Sequence, residues 1–239
     1  MKQLPLPLPT RAALDREAFI VGGSNALALA WIERWPAWPT TGLLLLGPAG
    51  SGKSHLASVW RAQSGARLLT PAALVADGAR TTLGDAAAAV IENAEHEVAH
   101  APFERELFHL FNILREREGH LLLPARTPPR EWPVALPDLR SRLLGSVAAE
   151  LTDPDDELLE ALLIKLFADR QLYPSPEALI YLRTRIERSF AAAQAAVAAL
   201  DAAALGERRP VTLPLARRVL AESGLAPGGE AFESHSDSE

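Results

Sequence analysis

Apolar positions along the 239-residue chain show two patterns of spacing, and the change from one to the other falls near residue 152. Short apolar runs predict buried strands at 43–46, 67–69 and 120–124. Apolar residues three or four positions apart predict amphipathic helices at 25–35, 53–62 and 103–117. Beyond residue 153 only the helical spacing remains, and it predicts helices at 154–169, 176–186, 188–205 and 213–223. We therefore expect a parallel α/β sheet followed by a small all-helical unit.

Two details of this pattern can be tested residue by residue. Gly119 follows the helix predicted at 103–117 and is the candidate for its left-handed C-terminal cap. In the helix predicted at 154–169, the spacing places Leu158, Leu162 and Leu166 on the buried face.

The most specific chemistry lies at residues 47–54, directly after the apolar run at 43–46. The sequence there fits G-x-x-x-x-G-K-S, the phosphate-binding P-loop pattern in its required place after a strand. Glycines let backbone N–H groups turn toward phosphate oxygens, the lysine reaches the β- and γ-phosphates, and the serine hydroxyl ligates Mg²⁺. The predicted nucleotide-binding residues of the loop are Gly47, Ala49, Gly50, Ser51, Gly52, Lys53, Ser54 and His55. We therefore expect the chain to bind ADP or ATP together with Mg²⁺.

A second strand with an acidic end is required beside the P-loop strand, and residues 86–91 are the candidate. Helix propensity alone would also suit this alanine-rich run. The run is followed by Glu92 and Asn93. Glu92 can hold Mg²⁺ through water, whereas Asn93 has no ionisable carboxylate and cannot act as a base toward the attacking water. We expect only weak ATP hydrolysis by the protein itself.

A P-loop α/β base followed by a small helical lid is the plan of AAA+ proteins, and this is the fold class that we predict. The base is expected at 11–152 and the lid at 153–225. Alternating leucine and proline predict an extended peptide at 1–10, because proline fixes φ and lacks an N–H donor. Glycine, serine and acidic residues predict a disordered tail at 226–239.

Composition excludes several classes of function. The net charge of −6 argues against broad nonspecific DNA binding, which needs an excess of lysine and arginine. The longest apolar runs fall short of the ~20 residues that span a membrane. The chain has no cysteine, which fits a cytoplasmic location.

Several separate stretches carry a resemblance to a known family. They comprise 19–25, which precedes the P-loop, the P-loop itself at 47–57, the helical stretch 106–112, and the pair 127–130 and 139–143. Together they resemble the replication initiator DnaA and, more closely, the Hda-type regulatory inactivators of DnaA, particularly alphaproteobacterial members. The N-terminal residues Gln3, Leu4, Leu6 and Leu8 are similar to the peptide with which Hda proteins bind the sliding clamp of DNA polymerase III.

This resemblance implies roles for particular residues. Arg142 would be an arginine finger that acts on ATP held by a neighbouring protein, and Arg140 would assist it. Arg188 would approach the phosphates, since Ala191 stands where related proteins carry the lid arginine. The residues implied to lie near the adenine are Phe19, Val21 and Asn25. Full initiators have a further DNA-binding domain after the lid, so we expect no direct sequence-specific DNA binding.

Two functions follow as hypotheses, with a non-enzymatic adaptor that only binds the origin initiator as a third option. In the first, the chain carries ADP, docks on the sliding clamp as a monomer or homodimer, and stimulates ATP hydrolysis by DnaA, which inactivates the initiator. In the second, it is a self-acting, DNA-dependent AAA+ ATPase of the helicase-loader or transposition-helper type. The second hypothesis requires brisk turnover, against which the acidic charge and Asn93 both weigh.

Overall fold

The computed structural model describes residues 19–207 and 210–225. Contacts within these residues define two compact units. The first comprises 19–21, Asn25–Gly47 and Gly52–Leu151, and the second comprises Gly22–Ser24, Pro48–Ser51 and the residues from Thr152 onward. Outside the described residues lie the predicted tail at 226–239 and the predicted clamp-binding residues Gln3, Leu4, Leu6 and Leu8.

The first unit is built on a five-stranded parallel sheet. Its strands are β1 (Gly42–Leu46), β2 (Arg67–Leu68), β3 (Ala88–Val90), β4 (His120–Ala125) and β5 (Val147–Glu150). They lie in the order β2-β3-β4-β1-β5, which confirms the predicted α/β class. Every residue of β1 is buried, as expected for a strand of a parallel sheet that is covered on both faces.

Helices cover both faces of this sheet. They are α1 (Ala26–Glu33), α2 (Lys53–Ser64), α3 (Pro71–Asp77), α4 (Ala79–Leu83), α5 (Ala94–Glu97), α6 (Ala101–Glu116) and α7 (Pro137–Leu144). Leu44 of β1 packs in the core that contains α6, whereas Leu45 packs in the core that contains α2. In the second of these cores the Trp38 ring stacks on Trp60 at 5.0 Å between centroids.

The second unit is helical. It contains α8 (Asp156–Ala168), α9 (Pro176–Arg185), α10 (Phe190–Glu207) and α11 (Leu213–Ser223). The prediction that Leu166 is buried was wrong, because α8 packs on both α9 and α10 and its buried face is made by Leu158, Leu159, Leu162, Leu163 and Phe167. Across the described residues, no helix combines the length and the apolarity that a bilayer span requires.

Two local features differ from the sequence expectation. Strand β5 was not anticipated, because only Ala149 of its four residues is fully buried and the sequence therefore shows no apolar run. Gly119 does not cap α6. Glu118 takes the left-handed conformation there, with φ of 52°, and Gly119 N–H donates to the Leu114 carbonyl at 2.7 Å. Gly119 is required instead for close approach, since a Cβ at this position would lie 2.2 Å from the Ala87 carbonyl oxygen.

Replacing Gly119 by alanine should therefore lower the free energy of unfolding by at least ~2 kcal/mol, because backbone has to move to relieve the clash. Gly65→Ala is a matched comparison in the same unit. Its Cβ would meet no atom within 4 Å, although its φ of 69° costs about 1 kcal/mol. Urea unfolding followed by tryptophan fluorescence measures both variants. A loss for Gly119→Ala no larger than that for Gly65→Ala would contradict the close-packing role.

Candidate nucleotide site and arginine-bearing helix

The P-loop residues of the first unit lie at the carboxyl end of β1. Gly47 N–H donates to the Ala125 carbonyl at the end of β4 at 3.2 Å, and Lys53 Nζ donates to the Gly47 carbonyl at 2.7 Å. Gly52 adopts φ of 98° at the start of α2, a conformation that favours glycine. Lys53 thus sits at the N-terminus of a twelve-residue helix, where the aligned peptide dipoles favour an anion.

Burial lowers the pKa of Lys53, and the positive charge of Arg126 lowers it further. Glu95 and Glu92 act in the opposite direction and raise the pKa. The lysine is therefore surrounded by both signs of charge at the ends of β1, β3 and β4. Such a cluster suits the recognition of a phosphate group that carries a metal ion.

The remaining loop residues, Pro48–Ser51, belong to the second unit. Within that unit the Gly50 carbonyl accepts a hydrogen bond from Phe190 N–H at 2.9 Å. Gly50 has φ of 74°, and a Cβ there would lie 3.0 Å from the Ala191 Cβ. Glycine is thus required at position 50 both by its conformation and by its neighbours. Arg188, which the resemblance places near the phosphates, forms an ion pair with Asp156 at 2.7 Å.

Glu92 follows β3 and is half-buried, and Ser54 at the start of α2 is exposed. Their carboxylate and hydroxyl oxygens are donors of the kind that Mg²⁺ prefers. The described residues hold no group of three or more His, Asp or Glu side chains that could bind a metal. These two residues therefore fit a Mg²⁺ ion that is bound jointly by the protein and by nucleotide phosphates. The ion would supply the positive charge that orients and stabilises those phosphates.

Asn93 is exposed and left-handed, with φ of 57° and ψ of 31°. Its N–H donates to the Pro124 carbonyl at 3.3 Å, so the backbone fixes it beside the end of β4. The side chain next to Glu92 is therefore an amide without a proton-accepting carboxylate.

Sequence reasoning missed Glu95, which is buried three residues after Glu92. Its Oε1 accepts the Arg126 N–H at 2.9 Å. The only signal in the sequence is a second acid that follows Glu92 by three positions, shortly after a strand, and nothing in the apolar pattern marks it as buried.

Residues 19–25, the stretch expected near the adenine, form a folded segment in which the side chains differ in exposure. Phe19 is buried, and its ring meets His55 edge-on at 5.2 Å between centroids. Asn25 is also buried and donates through Nδ2 to the Ile20 carbonyl at 2.9 Å. Val21 is 46% exposed. Among these three residues Val21 is thus accessible to a base, whereas Phe19 and Asn25 shape the segment that presents it.

Arg142 and Arg140 lie on α7, and both are anchored. The Arg142 guanidinium donates through Nη2 to Asn112 Oδ1 at 2.7 Å and lies over the Phe108 ring at 5.1 Å. Burial and the charge of Arg115 lower the pKa of Arg142, while Asp138 raises it. Arg140 Nη2 donates to the Val134 carbonyl at 2.6 Å.

The start of α7 is held by a buried carboxylate of α6. Glu104 Oε1 accepts the N–H groups of Ala135 at 2.6 Å and Leu136 at 2.7 Å. The helix that carries Arg142 is therefore fixed by the two residues just before its first turn as well as through its arginines.

A cavity of about 640 Å³ lies beside this region, between the α3–α4 turn and α6. Arg80, Arg115 and His109 line it together with Asp77, Glu106 and Glu116. P-loop residues do not line this cavity, and its mixed charges favour no single ligand chemistry.

Comparisons in sequence lead to the replication initiator DnaA, although no protein-family model matches the chain. The chromosomal replication initiator protein DnaA of Thermomicrobium roseum is 28% identical over 247 residues, which cover 92% of this chain and 53% of that protein. DnaA of Cutibacterium acnes is 24% identical over 234 residues, covering 89% of this chain and 46% of that protein. The chain thus spans about half the length of these relatives.

Solved structures with similar folds are AAA+ domains. Domain III of Thermotoga maritima DnaA matches with a TM-score of 0.77 at 18% identity, over 93% of this chain and 100% of that domain. AMPPCP-bound DnaA from Aquifex aeolicus gives 0.62 at 20% identity, over 75% of this chain and 62% of that one. The Thermotoga maritima RuvB branch migration motor gives 0.63 at 17% identity, over 82% of this chain and 65% of that one.

The fold is therefore that of an AAA+ P-loop protein, as the sequence predicted. The sequence matches further relate the chain to the AAA+ portion of DnaA.

Proposed function

We propose that this protein is a regulator of chromosome replication initiation that carries ADP, docks on the DNA polymerase III sliding clamp and stimulates ATP hydrolysis by DnaA. In this proposal the reacting nucleotide is held by DnaA. The chain supplies a positioned positive charge, Arg142, that stabilises the charge developing on the γ-phosphate. Hydrolysis converts DnaA to its ADP form and so inactivates it.

The observation that carries this proposal is the way Arg142 is held. Its guanidinium is fixed by Asn112 and Phe108, and its charged neighbours are Arg115 and Asp138. The charged residues that shift the pKa of Lys53 are Arg126, Glu95 and Glu92. The two sets share no residue in the described part of the first unit. A rigid arginine with surroundings separate from its own P-loop suits action on a neighbouring molecule.

Asn93 also supports the proposal that the chain acts on ATP held by DnaA. The position after Glu92 carries an exposed amide, which cannot take a proton from an attacking water. A chain that turns over its own ATP slowly can remain loaded with nucleotide while it acts on another protein. The P-loop then serves to hold the fold in its active form rather than to drive a cycle of its own.

Clamp binding rests on the resemblance of residues 3–8 to the Hda clamp peptide. Tethering to the clamp would raise the effective concentration of Arg142 near DNA-bound DnaA. We expect Gln3→Ala, or deletion of 3–8, to abolish clamp binding and the clamp-dependent part of DnaA inactivation. ADP affinity should stay unchanged, because the P-loop is intact. Surface plasmon resonance on immobilised clamp and an ADP-binding assay measure the two properties on the same preparations.

The decisive assay is ATP hydrolysis by DnaA with this protein, in the presence and absence of clamp loaded on DNA. Stimulation that requires both partners supports the proposal. No stimulation, together with rapid DNA-dependent ATP hydrolysis by this protein alone, would overturn it in favour of a self-acting ATPase of the helicase-loader type.

A further inference from the structure

The turn of the P-loop at Pro48–Ser51 packs against the start of α10, within the second unit. Phe190 is the first residue of α10, and its N–H donates to the Gly50 carbonyl at 2.9 Å. The first N–H groups of a helix have no partner inside that helix, so they bond to groups outside it. Here the group outside the helix is a peptide carbonyl of the nucleotide-binding loop.

The first turn of α10 is itself fixed by a buried serine. Ser189 is 3% exposed and caps the helix, because its Oγ accepts the Ala192 N–H at 3.0 Å. The Ser189 carbonyl accepts the Ala193 N–H at 3.1 Å and so makes the first hydrogen bond of the helix. The N–H group that meets Gly50 is therefore held in place by the helix cap.

Small residues allow the loop and the helix to approach each other closely. A Cβ on Gly50 would lie 3.0 Å from the Ala191 Cβ and 3.3 Å from the Ala191 nitrogen. Arg188 pairs with Asp156 at the start of α8, and Ala191, where the resemblance to Hda-type proteins expects the lid arginine, carries no charge. The hydrogen bond from α10 to the loop is thus made by backbone atoms.

The direction of this bond decides which way one peptide of the loop faces. A planar trans peptide points its C=O and its N–H in opposite directions. The Gly50 carbonyl points toward α10, so the N–H of the same peptide, which belongs to Ser51, points to the other side of the chain. There it donates to the Pro48 carbonyl at 3.4 Å, beyond the usual range for an N–H···O bond. P-loops bind phosphate through N–H groups on the inner side of such a turn.

We propose that the first turn of α10 positions the P-loop: the Phe190 N–H holds the Gly50 carbonyl on the outside of the loop and so keeps the Ser51 N–H facing a bound phosphate. Binding of nucleotide and formation of this hydrogen bond then favour each other, which couples nucleotide affinity to the second unit through the backbone. The inference rests on nucleotide binding, which forms part of the proposed function, but it is independent of the clamp and of DnaA.

Two substitutions at one position isolate this hydrogen bond. Phe190→Pro removes the N–H, whereas Phe190→Ala removes the same ring and keeps the N–H. Proline suits the first position of a helix, and α9 of the same unit already begins with Pro176. The difference between the two variants therefore reports the bond to Gly50 without the contacts of the phenyl ring.

Calorimetry on the full chain measures ADP affinity, and circular dichroism on heating measures the melting temperature. We expect Phe190→Pro to bind ADP about fivefold more weakly than Phe190→Ala, the effect of one lost hydrogen bond, with similar melting temperatures for both variants.

A pair of helix-cap variants tests the same turn from its side chain. Ser189→Ala removes the cap of α10 and should weaken ADP binding about threefold. Ser175→Ala removes the corresponding cap of α9, where Ser175 Oγ accepts the Ala178 N–H at 3.3 Å. This control should keep the ADP affinity of the wild type.

Hydrogen exchange followed by NMR gives a readout that a purely structural role would not change. In the wild type, ADP should slow exchange of the Phe190 amide, because binding and the hydrogen bond to Gly50 favour each other. The Ala178 amide at the start of α9 should exchange at the same rate with and without ADP.

Equal ADP affinities of Phe190→Pro and Phe190→Ala would overturn the inference, as would a Phe190 amide whose exchange ADP leaves unchanged. If Phe190→Pro does not fold, the exchange measurement on the wild type and the two serine variants decide. A wild-type protein that binds no ADP would overturn this inference together with the nucleotide-binding part of the proposed function. Failure to stimulate DnaA alone would contradict only the regulatory proposal.

Discussion

Arg142→Ala is expected to abolish the stimulation of DnaA ATP hydrolysis, with a loss on the order of 10³-fold, the lower end of what arginine fingers supply in GTPases. The guanidinium provides charge where negative charge develops on the γ-phosphate, and the shorter side chain leaves that charge unmet. ADP binding should be retained, because Arg142 is not among the charges that shift the pKa of Lys53. Clamp binding should be retained because residues 3–8 are unchanged. Phosphate release from ATP-loaded DnaA, measured with clamp-loaded DNA, gives the result.

Two further variants make the test specific. Arg130→Ala removes the same charge from an exposed side chain of the first unit and should leave stimulation intact. Arg142→Lys keeps the charge but loses the planar fork that bonds Asn112, so only a small part of the activity should return. Unchanged stimulation by Arg142→Ala would refute the assignment, and an equal loss in Arg130→Ala would show a general charge effect.

Lys53→Ala should weaken ADP and ATP binding at least ~30-fold, since truncating one partner of a buried, hydrogen-bonded charge pair costs ~2 kcal/mol or more. Lys53 begins α2 at the carboxyl end of β1, where the loop, the helix dipole and the ammonium would all act on the phosphates of a bound nucleotide. Fluorescence titration with a labelled nucleotide measures the affinity directly.

Lys165→Ala is the control for this variant. Lys165 lies on α8 in an exposed ion pair with Asp169, so its loss should not change nucleotide affinity. Wild-type affinity in Lys53→Ala would mean that the loop at 47–54 does not bind nucleotide in the way that its pattern predicts. Loss of nucleotide should also impair DnaA stimulation if ADP holds the protein in its active form.

Much of the fold could be predicted because its elements have strong local signals. The run 43–46 is entirely apolar because β1 is buried on both faces, and such a run predicts a buried strand. Proline at position 71 marks the start of α3, and the helix predicted at 213–223 has those bounds as α11 (Leu213–Ser223). Strand β5 could not be predicted, because an edge strand needs only one side covered and the alanines of its short sequence do not distinguish strand from helix.

The glycines show at single positions how far prediction from the sequence reaches. Gly50 and Gly52 have the positive φ that the P-loop pattern implies. Gly119 was predicted to have it and does not, because Glu118 takes the left-handed turn and Gly119 instead passes within contact distance of Ala87. A sequence indicates that a glycine is needed, but only packing shows whether conformation or space is the reason.

The site divides along similar lines. The P-loop lysine, Glu92 and the amide at Asn93 follow from residue type and spacing, whereas the pair of arginines on α7 was singled out only by the resemblance to Hda-type proteins. The hydrogen-bond partners of Arg142 and Glu95 are groups about 30 residues away in sequence, the Asn112 side-chain amide and the Arg126 backbone N–H. Contacts over such separations produce no periodic pattern in the sequence from which they could be predicted.

The sequence by itself predicted a nucleotide as the ligand. It also determined the parallel sheet, the helices that follow it and the absence of an acid at position 93, because these depend on residue identity and local periodicity. The tertiary structure alone decided that Arg142 is held by α6 and that a buried Glu95 stands beside the P-loop lysine. The physical reason is that charge and hydrogen bonding act through space. Parallel strands far apart in the chain end at one edge, and there they bring together groups that no local pattern connects.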